Sequence, residues 1–424
     1  MPNASNTTKV STDKSVSRVF KAMGPGLLMA AAAIGASHLV ASTRAGAEFG
    51  WQLAWVILAV NLIKYPFFAA GARYTVATGE SLLQGYYSQG RGYLMLFTLL
   101  NGVAAVASTA GVAMLTAAML TLFIPLSIDI LALIVLIASL ALIILGHYRL
   151  LDRLSKVIMF SLTLMTLIAA AMALNIPSVI DSGFIAPSPW QWAYIGFLVA
   201  MMGWMPAPIE VSVWNSLWLI EKQKQMSISK AQALFDFNTG YILTTVLALV
   251  FLSLGASVMY GSNEHFSDSG AMFASQLIEL YSNVMGSESR YLIGAVALLC
   301  IFSTTVTVID GYSRSLAGCW QLLLHHKKRT ESNGVLTRIM LLMSLLSLLI
   351  ILFFQGALLP LLEFVMILAF ITTAVFAALN FKLMTSEQLA VEDRYGPIMK
   401  LWSWLGIIYF VGFTLIFVYW KYFQ

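Results

Sequence analysis

The chain has 424 residues, 59% of them hydrophobic and 10% charged, with a net charge of +5 and a mean hydropathy of +0.84. A soluble globular protein carries about 25% charged residues, so this composition excludes a water-facing surface over most of the molecule. Continuous apolar runs of about 20 residues, without alternation, exclude a porin-type barrel and leave an all-α polytopic membrane protein. The polar, Ser/Thr/Lys-rich stretch from Met1 to Met23 has no apolar core or cleavage pattern of a signal peptide and reads as a cytoplasmic tail.

Spans are predicted near Pro25 to Glu48, Trp51 to Ala72, Tyr93 to Leu120, Ile128 to Leu145 and Val157 to Leu174. A second set follows near Ala193 to Leu219, Asp236 to Tyr260, Tyr291 to Leu322, Met340 to Phe354 and Leu358 to Phe381, with an eleventh near Trp402 to Trp420. With the N-terminus inside, all but Arg44, Arg290 and Lys421 of the 24 Lys and Arg residues fall in or beside cytoplasmic segments. Among them are Lys9, Lys14, Arg18, Arg149, Arg153, Lys156, Lys222, Lys224, Lys327, Lys328 and Arg329. One helix more or fewer scrambles that segregation, which is what the positive-inside rule demands of a correct count. The basic residues are therefore topology signals, nucleic acid is not an expected partner, and the C-terminus is expected outside.

The longest external loop, Gly261 to Ser289, carries Glu264, Asp268, Glu279 and Glu288 and no Lys or Arg. It reads either as a solvated loop or as one that gathers cations at an entrance. Cys300 and Cys319 fall in one predicted span without a metal-type spacing, which supports neither a disulfide framework nor a zinc cluster.

Two spans carry breaks. The first opens on Gly24-Pro25-Gly26 and reaches Gly35-Ala36-Ser37-His38 at about mid-depth; the sixth holds Gly203-Trp204-Met205-Pro206-Ala207-Pro208. Two prolines two apart remove two backbone donors and clash with the preceding turn, so a continuous helix is close to excluded there. Prolines and glycines also merely kink membrane helices. Two breaks five helices apart, however, are the pointer to the substrate site of an inverted-repeat transporter. The predicted organisation is a tail at 1–23 and a ten-helix core at 24–382, with repeats at about 24–175 and 193–382. A cytoplasmic loop and the eleventh helix occupy 383–424.

An ionisable residue at mid-span costs about 2.5 to 3.5 kcal/mol on insertion scales and is a functional candidate by default. His38, Glu210, Asp310 and Glu363 meet that description, and Asp236 sits near the cytoplasmic start of the seventh span. His38 reads as a metal or proton ligand, or as an imidazole bonded to carbonyls freed by the break. Glu210, one turn past Pro206, reads as a cap on the new half-helix or as a proton acceptor or cation ligand. Asp310 with Arg314, and Arg44 with Glu48, have the spacing of in-helix ion pairs. Glu363 follows Pro360 and is expected near the outer surface. Met205 offers a thioether, a soft ligand suited to transition metals.

The stretch from Gly24-Pro25-Gly26 through Ala45-Gly46-Ala47-Glu48-Phe49-Gly50 resembles the first helix of the Nramp family of divalent metal transporters, which opens with GPG and closes with AGAQFG. Ala77-Thr78-Gly79-Glu80-Ser81-Leu82 is similar to the family's TG-x-DL loop, Met205-Pro206 to its MPH, and Asp236 to the Asp opening its seventh helix. The resemblance implies a LeuT-type 5+5 inverted repeat, alternating access and a cation site between helices one and six. The family's site uses the Asp and Asn of a DPGN motif, a methionine sulfur and a backbone carbonyl. These positions are Gly35, His38, Met205 and Met202 in this chain, and the MPH histidine is Ala207. The charged ligand is therefore missing, and a divalent ion stripped of water wants anionic oxygen; only Glu210 or Asp310 is left to supply it, with Asp236 beside them as a coupling or charge-compensating residue.

The expected substrate-binding set is Gly35, Ser37, His38, Met202, Met205 and Ala207, with His38 and Met205 as metal ligands. The expected activity is secondary transport of a metal cation, manganese or another divalent ion, coupled to a proton. The alternative is a same-fold symporter for a small organic or anionic solute. No enzyme activity and no cofactor are expected; the partners are the transported ion or solute and the lipid bilayer.

Overall fold

The structure is a computed structural model describing residues 24–146, 148–175, 183–262, 264–325, 333–354 and 356–423, with backbone only at 148–156, 325 and 333. The predicted tail 1–23 and the basic stretch 326–332 lie outside the described residues.

Span 1 comprises α1 (Pro25–Ala33), a wide-turned segment Ile34–Ser42 and α2 (Thr43–Phe49). Pro25 sits at the first helical position, where its fixed φ suits the turn and its missing N–H costs nothing. Span 2 is α3 (Ala54–Thr78), which ends six residues beyond the predicted end at Ala72, and it stops at Gly79 with φ 69°, a conformation that favours glycine. The short α4 (Leu82–Gln89) follows, its start fixed by a reciprocal capping box between Ser81 and Gln84. Spans 3, 4 and 5 are α5 (Arg91–Leu120), α6 (Ile128–Ile144) and α7 (Tyr148–Ala173).

Span 6 is split into α8 (Ile195–Trp204) and α9 (Val211–Gln225). Span 7 is α10 (Lys230–Val258). The outer loop that follows is not purely irregular: α11 (Gly270–Met285) buries Phe273, Leu277 and Tyr281 along one face. Spans 8 to 11 are α12 (Arg290–His325), α13 (Asn333–Phe354), α14 (Leu358–Met384) and α15 (Pro397–Phe423). Among the described residues there are eleven spanning segments, two of them broken, which is the expected count.

Backbone-to-backbone crossings at glycines hold the bundle together, as is usual where lipid removes the hydrophobic drive between helices. A Cβ on Gly46 would lie 2.0 Å from the Leu252 carbonyl, and one on Gly255 2.1 Å from that of Thr43, so α2 and α10 touch. At the other end of span 1, a Cβ on Gly240 would meet the Gly26 carbonyl at 2.2 Å. Under an inverted repeat, the pairing of spans 1 and 7 corresponds to that of spans 6 and 2. A Cβ on Gly71 of span 2 would indeed meet the Ser212 carbonyl of span 6 at 2.4 Å. Outside the paired repeats, span 11 lies against span 2, where a Cβ on Gly406 would reach the Phe67 ring at 2.8 Å.

Asp236 closes the start of span 1. One carboxylate oxygen accepts from the Gly24 N–H at 3.0 Å and the other from the Gly26 N–H at 2.7 Å, which satisfies two orphan donors of α1 from a different helix. Asp236→Ala is expected to cost about 1–2 kcal/mol, the worth of a good cap, and to lower the melting midpoint in detergent by several degrees. An unchanged midpoint would show that these donors find other partners.

Candidate functional site

The first break follows from Gly35, whose ψ of −109° is not helical. A Cβ there would lie 2.1 Å from Thr304 Oγ1 of span 8, so Thr304 fills the space that an acidic side chain needs. The second break follows from the prolines: Met205 is extended and its bond to Pro206 is cis. Ser37 ties the two breaks together, donating to the Ala33 carbonyl and, at 3.3 Å, to that of Pro206.

Between the breaks lies a small cavity of about 40 Å³, lined among others by Ala33, Ser37, Trp204, Ala207, Pro208, Thr304 and Tyr312. Most of its wall is apolar: Ala36, Val112, Val211 and Val308 contribute, and Trp214 closes one side. Polar character comes from Ser37, Ser108, Thr304 and Tyr312 and from the indole nitrogens of Trp204 and Trp214, both buried without a partner.

Of the predicted binding residues, Ser37 and Ala207 line this cavity, whereas Gly35, His38, Met202 and Met205 do not. His38 is wholly buried; Nδ1 lies 2.8 Å from the Ala33 carbonyl and Nε2 2.8 Å from that of Thr244. A ring held on both sides by carbonyl oxygens joins a metal only after turning. Met205 Sδ accepts from Ser42 Oγ at 3.5 Å, and Met202 Sδ from Tyr409 Oη of span 11 at 2.7 Å.

The three predicted carboxylates part company. Glu210 is 1% exposed and immediately precedes α9. One oxygen accepts from the cavity-lining Tyr312 hydroxyl at 2.9 Å, and the other has no partner. Asp310 accepts twice from Arg314 Nε at 2.8 Å, as its spacing predicts. Asp236 is occupied at the start of α1, apart from the cavity. Among the described residues no three His, Cys, Asp or Glu side chains gather as a metal-binding group. At the end that the charge pattern assigns to the outside, Arg44 bonds Glu48 and Glu363, each at 2.5 Å, with its guanidinium 5.0 Å from the Phe197 ring centre.

One residue corrects the sequence reading. Lys64, counted there with the inward-facing charges, is fully buried near the middle of span 2. Its Nζ donates to the carbonyls of Met202 and Gly203, each at 2.8 Å, and of Ala207 at 3.2 Å. A lysine inside the predicted span Trp51 to Ala72 was the available signal. Tyr312, Thr304 and the two tryptophans carried none, because hydroxyls and aromatics in a span are ordinary packing.

Two interrupted helices that meet across a shared cavity, in two inverted five-helix repeats, define the LeuT architecture. The model of the natural resistance-associated macrophage protein-like family, Nramp, matches residues 26–420, and the chain belongs to this family. An uncharacterized protein of Pasteurella multocida (strain Pm70) is 45% identical over 407 residues, covering 94% of this chain and 92% of that protein. The manganese transporter of Eremococcus coleocola, solved with an aromatic bis-isothiourea compound, superposes with a TM-score of 0.74 at 15% identity, covering 97% of this chain and 88% of that one. A Na⁺-coupled sialic acid symporter superposes with a TM-score of 0.57 at 11% identity, covering 92% and 89%. At these identities the two structures establish the fold. The chain is a multi-pass integral membrane transporter of a metal-ion-transporting family, and not an enzyme.

Proposed function

We propose that this protein moves a divalent metal cation by alternating access, through the cavity between the breaks of spans 1 and 6, with Glu210 offsetting the charge. The observation that carries this reading is the buried Glu210 carboxylate, held by Tyr312 through one oxygen and unpartnered at the other. A hard or borderline cation needs anionic oxygen, and Asp236 and Asp310 are already committed elsewhere. Met205 and, after turning, His38 complete the ligand set in this proposal. Manganese is the first ion to test, since a neighbour in fold is a manganese transporter, and a proton is the proposed coupling ion.

The test is uptake of manganese, magnesium and calcium into liposomes, with and without a proton gradient. Glu210→Gln is expected to lower uptake of the favoured ion at least about tenfold, the scale of losing one charged ligand, with an unchanged melting midpoint; His38→Ala is expected to weaken binding in calorimetry. Wild-type uptake that is indifferent to Glu210→Gln would overturn the assignment.

A second reading, a symporter for a small organic or anionic solute, is favoured by the largely apolar wall of the cavity. Substrate-dependent uptake that persists in the presence of chelator would select it.

A further inference from the structure

Lys64 touches the break of span 6 directly, and its surroundings are those of a bound cation. The ammonium is 0% exposed, and its three donors are matched by three carbonyl oxygens, those of Met202, Gly203 and Ala207. An ammonium has three donors and no acceptor, so this shell is complete. Met202 and Gly203 belong to the last turn of α8, whose carbonyls have no intrahelical partner once the chain turns extended at Met205. The negative end of the half-helix dipole points at the same place.

Any cation that uses these oxygens therefore has to displace a cation already tethered there. The carbonyl that the sequence resemblance gives to the transported ion, that of Met202, is one of the three. The acidic ligand of that resemblance is Gly35 here, and Thr304 occupies its space. Loss of a fixed negative charge beside the site and gain of a fixed positive charge within it act in the same direction.

We infer that Lys64 is a resident cation of the transport site: its ammonium fills the carbonyl half of the site in this state and competes with the cargo for the Met202 oxygen. The competition with a metal rests on the metal-cation reading proposed above, whereas occupancy of the cage by an ammonium does not. Lys64 is in this sense a specificity-determining residue. It sets how strongly a cation must bind to enter, and it leaves the cage charged when no cargo is present.

Two arms separate the two ideas. In the first, manganese binding to purified wild-type protein and to Lys64→Met is measured by calorimetry. Lys64→Met keeps an unbranched side chain one atom shorter and removes the charge. Removing a direct competitor is expected to tighten binding about tenfold, within the usual range of coupling between sites, and Lys64→Arg is expected not to. In the second, the melting midpoint of Lys64→Ala is followed in ammonium chloride and in tetramethylammonium chloride at equal ionic strength. Ammonium, which has the donors and the size to refill the cage, is expected to restore midpoint lost in the variant, and tetramethylammonium to leave it low.

Equal manganese affinity in wild type and Lys64→Met would overturn the competition, and ammonium and tetramethylammonium acting alike would overturn occupancy of the cage by an ammonium. Rescue by ammonium with no manganese binding in any form would retire the metal reading and leave Lys64 as the cation of the cage.

Discussion

Leucine at Gly46, or at Gly255, is expected to leave little or no folded transporter. These glycines face each other's helices where α2 crosses α10, and a bare Cβ on either already lies within 2.1 Å of a backbone carbonyl on the other side. The obstacle is backbone rather than a side chain that can rotate, so the helices have to separate. Overpacking a well-filled core costs about 1–3 kcal/mol even when side chains can adjust, and here they cannot. Detergent extracts run on a sizing column should show the monodisperse peak lost for both variants. Gly412→Leu is the control, because nothing lies within 4 Å of a Cβ at that position. Wild-type peaks and midpoints for Gly46→Leu would mean that spans 1 and 7 do not meet as closely as described.

The second large effect concerns the outer end. Arg44 holds Glu48 on its own helix and Glu363 on span 10, so α2 is fastened to α14 there. Arg44→Gln leaves two neighbouring carboxylates without their shared cation. Side-chain exposure of 16% for Arg44 and Glu48 and 36% for Glu363 puts the interaction between the exposed and buried limits. About 1–2 kcal/mol is expected, which shifts an equilibrium five- to thirtyfold. Labelling of a cysteine at Ser108, a cavity-lining position, in a background without Cys300 and Cys319, should rise by about that factor when reagent is applied from outside. Labelling unchanged by Arg44→Gln would exclude a closing role for the triad.

The spans and their breaks were legible because the signals are local and strong: long apolar runs, charges sorted by side, and prolines two apart. The Asp310–Arg314 and Arg44–Glu48 pairs were legible for the same reason, as four residues make one turn. Asp236 shows the limit. An acidic residue at a helix start is visible, but the donors it caps lie more than two hundred residues away in sequence. The helix α11 carries no spanning signal, because its apolar residues sit on one face only, whereas a spanning segment is apolar all round. Lys64 was misplaced because it was counted among the cytoplasmic charges although it falls inside the predicted span Trp51 to Ala72. The carbonyls that accept it exist as free acceptors only because a different span is broken. In the site, the breaks identified Ser37 and Ala207, whereas the residues that shape the cavity, Thr304, Tyr312, Trp204 and Trp214, become meaningful only when helices from both repeats are assembled.

The eleventh helix stands apart from the symmetric pairs, yet Tyr409 reaches the sulfur of Met202, and Gly406 lets the same helix settle onto the helix that bears Lys64. It thus braces both partners of the ammonium contact from the rear, the residue that offers the oxygen and the rod that delivers the nitrogen. A protein shortened before Pro397 would lose this buttress, and its permeation behaviour would change although every cavity-facing atom remained.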